Sequence, residues 1–134
     1  MLITNSQAVS DIEGVLNAYP EVRLAILFGS LAIGAGRRDS DIDVAVDFGR
    51  SLTPPEKMNL IGQLAEKTGR AIDLVDLHTT GEPLLAKILR RGVQIVGSKI
   101  EYANLIRKHL LDAADFLPYR TRILRERRRA WTGK

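Results

Sequence analysis

The chain has 134 residues, no cysteine and a formal net charge of +4. This length suits one domain with its own hydrophobic core, and the lack of cysteine excludes disulfides and thiolate-bound metals. The sequence holds no apolar run of about eighteen residues and no signal-peptide pattern at its N-terminus. We therefore expect a cytoplasmic protein without a membrane partner.

The positive charge is concentrated near the C-terminus. Residues 120–134 carry seven basic side chains and one acidic side chain, a net charge of +6. The rest of the chain carries thirteen basic and fifteen acidic side chains, so the body is slightly acidic. The basic arm and the acidic body therefore call for separate explanations.

The spacing of apolar residues and the positions of Pro and Gly predict helices alternating with strands. We expect helices over residues 7–19, 30–34, 54–68, 83–91 and 100–117, and strands over residues 22–28, 41–47, 71–77 and 93–96. This alternation predicts a single α/β domain over residues 1–118. Residues 119–134 are expected to form a helical basic arm that is not a separate domain.

Two aspartates share one face of the second predicted strand, in the stretch LFGSLAIGAGRRDSDIDVAV. Strand alternation turns Ile42 and Val44 to one face and Asp41 and Asp43 to the other. Carboxylates this close repel each other unless a cation lies between them, and oxygen ligands suit Mg²⁺ or Mn²⁺. Because Mg²⁺ usually completes its shell with substrate phosphates, the pair predicts a metal–nucleotide site.

A phosphate-binding loop is predicted just before these aspartates. Gly29 lets an anion approach the backbone closely, and Ser30 adds a hydroxyl donor where a helix is expected to begin. Arg37 and Arg38 could neutralise a polyphosphate. The two arginines fit a solvated turn about equally well.

The third predicted strand, AIDLVDL, offers two more acids. Its apolar residues place Asp73 on the face of Asp41 and Asp43, whereas Asp76 falls on the packed side or at the strand end. Three carboxylates on neighbouring strands suit a two-metal displacement site. His109 lies on an apolar helical stripe, and we interpret it as a semi-buried structural histidine rather than a ligand.

The Gly-Ser pair, ten residues and Asp-Ile-Asp together resemble the signature of the minimal nucleotidyltransferases, members of the polymerase β-like superfamily. The similarity extends from residue 22 to residue 76, and LLAKILRRGVQIVG resembles the family's last helix and strand. It is nearest to the antitoxins of HEPN–MNT toxin–antitoxin pairs. The resemblance implies a small mixed β-sheet with helices packed on it, in which Gly29 and Ser30 hold ATP and Asp41, Asp43 and Asp73 bind the metals. It also implies transfer of AMP to a tyrosine of a HEPN ribonuclease toxin.

The basic arm has three interpretations: a solvated helix, a nucleic-acid-binding segment or a docking site for a protein. Aromatic and aliphatic residues lie between its arginines, as in protein interfaces. We favour partner binding, with nucleic acid not expected as a direct ligand; the residues assigned to it are Arg120, Ile123, Leu124, Arg127 and Trp131. Two other functions stay open: nucleotidyl transfer to a small molecule or an RNA end, and an antitoxin that only blocks its toxin by binding.

Overall fold

The structure is a computed structural model that describes residues 2–29 and 41–111. Its elements are α1 (Leu2–Asn17), β1 (Leu24–Phe28), β2 (Ile42–Asp47), α2 (Pro54–Thr68), β3 (Ile72–Asp76), α3 (Leu84–Arg91), β4 (Val93–Val96) and a helix over residues 99–111, here α4. The predicted helix at 30–34 and the arm at 119–134 lie outside the described residues.

The four strands form one mixed sheet in the order β3-β2-β1-β4. β1 runs antiparallel to β2 and to β4, whereas β2 and β3 are parallel and are connected through α2. The prediction of a small mixed sheet with helices packed on it is confirmed.

Helices cover both faces of this sheet and bury two apolar clusters. α1 and α2 pack on the face that carries Ile42 and Val44, burying Ile12 and Leu64 completely. α3 and α4 pack on the other face, where Ala45 lies. Burial on both faces explains why the strands are nearly continuous in apolar residues, except at the acidic positions.

Most of the predicted element boundaries agree with the structure, and α2 agrees at both ends. Thr53 and Glu56 form a reciprocal capping box at its start, and Gly69 ends it in the left-handed conformation with a φ of 68°. The predicted limits of α1 were wrong. It begins at Leu2 and ends before Tyr19, whose amide bonds back only three residues and so tightens the last turn.

α4 is fixed to the loop that follows β3. The Lys108 ammonium group donates to the carbonyl oxygens of Leu77, His78 and Thr80, at 3.0, 3.4 and 3.3 Å. Nδ1 of the neighbouring His109 contacts the Glu82 carboxylate. His109 is therefore a partly buried, paired residue, in agreement with its structural interpretation.

Candidate active site

Two aspartates face each other at the N-terminal ends of the parallel strands. Asp43 on β2 is the register partner of Asp73 on β3, and Phe28 on β1 is the antiparallel partner of Asp43. All three belong to the sheet face covered by α3 and α4, because the neighbouring Val44 and Leu74 pack against α1 and α2. The strand alternation deduced from the sequence agrees with this arrangement.

The neighbouring carboxylates affect the ionisation of Asp43. The pKa of Asp43 is raised, first by burial, then by the charge and a hydrogen bond of Asp73, and then by the charge of Asp41. Asp41 is exposed and immediately precedes β2, and Asp73 is exposed as well. The cluster therefore has a partly buried member, Asp43, between two members that solvent and ligands can reach.

Gly29 lies at the end of β1, directly beside the Asp43 carboxylate. Its φ is 74°, a left-handed backbone conformation that residues other than glycine rarely adopt. A Cβ at this position would collide with Oδ2 of Asp43 and lie 3.1 Å from its Cγ. The absence of a side chain at residue 29 therefore leaves the space that the Asp43 carboxylate occupies.

The chemistry of this cluster fits a divalent cation. Within residues 2–29 and 41–111, no three acidic or histidine side chains form a complete metal cage. Mg²⁺ commonly takes only one or two protein carboxylates and fills its octahedron with water and phosphate oxygens. Asp43 and Asp73 provide such a pair. A cation bound to both would offset the repulsion between their carboxylates.

Asp76 has a different role from Asp73. Its side chain is buried, with an exposed fraction of 8%. Oδ2 accepts the backbone amide of Leu52 and Oδ1 that of His78, both at 2.9 Å. These bonds connect the end of β3 to the loop before α2, so Asp76 stabilises the fold at a distance from Asp43.

Lys87 on α3 was missed by the sequence reasoning. It is exposed, and its positive charge opposes the rise in the pKa of Asp43. A signal was present in LLAKILRR, where basic residues occupy the side of the helix opposite Leu85 and Ile88. The pattern was compatible with an ordinary solvated face, and only the packing of α3 brings this lysine near the acidic cluster.

The remaining predicted site residues, Ser30, Arg37, Arg38 and the arm residues, lie outside the described part of the chain. In that described part, no helix is both long and apolar enough to cross a bilayer.

A family model described as polymerase beta, nucleotidyltransferase matches residues 10–101. The chain belongs to this nucleotidyltransferase family. The match includes β1, β2 and β3, and with them Gly29, Asp41, Asp43 and Asp73.

The proteins similar to this nucleotidyltransferase include an adenylyltransferase and members of toxin–antitoxin complexes. It is 34% identical over 80 residues to the protein adenylyltransferase MntA of Shewanella oneidensis, covering 60% of this chain but only 58% of that protein. A crystal structure of a toxin–antitoxin with AMP-PNP superposes with a TM-score of 0.77 at 27% identity, covering 88% of this chain and 96% of that one. A tri-AMPylated Shewanella oneidensis HEPN toxin in complex with its MNT antitoxin gives a TM-score of 0.74 at 24% identity, covering 91% and 97%. At 24% identity, this last similarity shows a shared fold only.

Proposed function

We propose that this nucleotidyltransferase transfers AMP from ATP to a tyrosine hydroxyl of a HEPN-type toxin and thereby acts as its antitoxin. The observation that carries the proposal is the direct pairing of Asp43 with Asp73 across β2 and β3, beside the left-handed Gly29. The adenylyltransferase named among the relatives and the toxin–antitoxin structure with an ATP analogue support the choice of nucleotide and partner.

Each residue of the cluster takes a role that follows from its position. Asp41, Asp43 and Asp73 would hold Mg²⁺ or Mn²⁺, and Gly29 would keep the backbone open to the phosphates. The cation would neutralise the phosphates and stabilise pyrophosphate as it leaves. Ser30, Arg37 and Arg38 remain predicted phosphate contacts, from the sequence alone.

The transfer itself is an in-line displacement at the α-phosphorus. The acceptor oxygen forms a bond to this phosphorus, while the bond to the bridging oxygen breaks and its electron pair leaves with pyrophosphate. The proton of the acceptor hydroxyl needs an acceptor of its own. We assign it to Asp73, because this carboxylate is exposed and adjoins Asp43.

The proposal is tested by incubating the protein and its toxin with ATP labelled at either the α- or the γ-phosphate. Label should reach the toxin only from the α-phosphate. Asp43→Asn and Asp73→Asn should abolish this transfer without unfolding the protein, since each removes repulsion between carboxylates. Asp76→Asn should lower stability but leave transfer in the folded fraction.

The matched control is Asp11→Asn, which removes a carboxylate on α1 that accepts a hydrogen bond from Gln7 and lies outside the acidic cluster. It should transfer AMP like the unsubstituted protein. Transfer at the normal rate by Asp43→Asn would contradict the assignment of the site. Protection from the toxin without any labelling would favour an antitoxin that acts by binding alone.

A further inference from the structure

Most of the large apolar side chains that the fold leaves exposed lie on α4. Among the described residues there are seven such side chains, and four belong to this helix: Ile100, Ile106, Leu110 and Leu111. Leu110 is 61% exposed and Ile106 is 38% exposed. Single exposed apolar residues are ordinary, but several on one short helix indicate a surface that another segment or molecule covers.

This apolar surface is separate from the side by which α4 packs on the sheet. Leu105 is buried in the cluster on that face of the sheet, and Tyr102 packs against the same cluster. At about 100° per residue, Ile106 and Leu110 lie about 100° and 140° around the helix from Leu105. The exposed Ala103 falls between them. Ala103, Ile106 and Leu110 therefore form one exposed row, the α4 stripe.

The residues that follow α4 are long enough to cover the α4 stripe. Seven residues, 112–118, separate α4 from the predicted helical arm of residues 119–134. Fully extended, such a segment spans about 23 Å, whereas the axes of two packed helices are only about 8–10 Å apart. A helix over residues 119–131 would be about 20 Å long, against about 10 Å for the α4 stripe. The arm can therefore reverse direction and run back along α4.

The apolar residues of the arm have the spacing that such a contact requires. Leu124 and Trp131 are seven residues apart, and Ile123 and Trp131 are eight apart, which places all three on one side of a helix. The exposed side of α4 also carries Lys99 and Arg107. These charges would repel the arginines of the arm, so the arm would meet α4 through its apolar side.

We propose that the arm of the same chain packs along the α4 stripe, with Ile123, Leu124 and Trp131 against Ile106 and Leu110. Covalent attachment favours this occupant over a separate chain, because a short tether holds the arm at a local concentration in the millimolar range. The arginines of the arm then remain in solvent, where an acidic partner can reach them.

Trp131 provides a direct test because it is the only tryptophan in the chain. Its fluorescence is measured in the full chain without any partner, with acrylamide as the quencher. The indole should be protected from acrylamide in the native protein and should lose this protection in urea. Combining Ile106→Gln with Leu110→Gln should also reduce the protection to the level in urea. Circular dichroism should show an unchanged fold in this variant, because both side chains are exposed and glutamine is a good helix former.

Matched variants separate the proposed contact from a general change of the protein. Met58→Gln replaces an exposed apolar side chain of α2, the helix layer on the other face of the sheet, and should leave Trp131 protected. Combining Ile123→Gln with Leu124→Gln should remove the protection from the arm side. Because the proposed contact is apolar, the protection should persist at high salt, where attraction between charges is screened.

Four outcomes of the Trp131 measurements would overturn this packing of the arm. Quenching as easy in the native protein as in urea would show that the arm is not packed. Protection that survives Ile106→Gln with Leu110→Gln would place Trp131 against another surface. Protection that disappears on dilution would show that the arm of a second copy covers the α4 stripe. Protection gained only when the toxin is added would assign the stripe to the toxin.

Discussion

The substitution Gly29→Ala tests the geometry of the candidate site most directly. A left-handed backbone conformation costs an L-residue about 1–2 kcal/mol, so this substitution should lower the free energy of unfolding by that amount. The added Cβ also collides with Oδ2 of Asp43. Because that oxygen is the far end of a side chain, the carboxylate can rotate away at little further cost in stability. It then no longer faces Asp73.

Gly69→Ala provides a matched control for the backbone strain. Gly69 also has a left-handed conformation, with a φ of 68°, but among the described residues no atom beyond its two chain neighbours lies within 4 Å of the position of its Cβ. Both variants should therefore lose about 1–2 kcal/mol in denaturant unfolding. Only Gly29→Ala should lose Mn²⁺ binding and AMP transfer, the latter by about 100-fold, as expected for a misplaced catalytic group.

The measurements are urea unfolding followed by circular dichroism, Mn²⁺ titration and the labelled-ATP transfer assay. Normal metal affinity and transfer in Gly29→Ala would refute the argument, because Asp43 would then function from a rotated position. Equal loss of transfer in Gly69→Ala would refute it too, since general destabilisation would then explain both results.

Two further predictions concern other parts of the chain. The Arg50 hydrogen bond, followed by the Thr53 cap, lowers the pKa of Glu56 from 4.5 to about 2. A carboxyl with a lowered pKa stabilises the fold at pH values above its unfolded pKa. In urea titrations, the stability difference between the wild type and Glu56→Gln should therefore be complete at pH 7 and shrink between pH 4.5 and 2. A difference that stays constant over this range would contradict the pairing of Glu56 with Arg50. Removal of residues 119–134 should preserve ATP binding but weaken toxin binding, with the charged part of the loss fading as salt rises; full toxin affinity by calorimetry would contradict the proposed docking role of the arm.

The sequence predicted the sheet face on which each acid lies, because apolar and acidic residues alternate along these strands. The apolar residues must point to the buried cluster, so the acids between them point to the other face. Asp43 alternates with Ile42 and Val44, and a slip of one residue would bury its carboxylate in the apolar cluster. The same rule separated Asp73 from Asp76. This local reasoning needs only a strand with one fully apolar face.

Other features depend on contacts between residues distant in sequence, and no local pattern reveals them. The direct pairing of Asp43 with Asp73 requires β2 and β3 to be parallel neighbours in this register. The approach of Lys87 requires α3 to pack on that face of the sheet. The early start of α1 was missed because Thr4, Asn5 and Ser6 are weak helix formers.

The parallel pairing of β2 and β3 also has a consequence for folding. Their acidic ends meet only after α2 has crossed from one strand to the next, so the cluster does not exist in a chain folded only as far as Asp47. Closing this crossover carries an entropic cost that a local hairpin avoids, and the repulsion between two carboxylates adds to it. An ion bound by both aspartates would stabilise the chain only after that late step is complete. It would make the completed crossover, rather than the nascent hairpin of β1 and β2, the first species with any affinity for nucleotide.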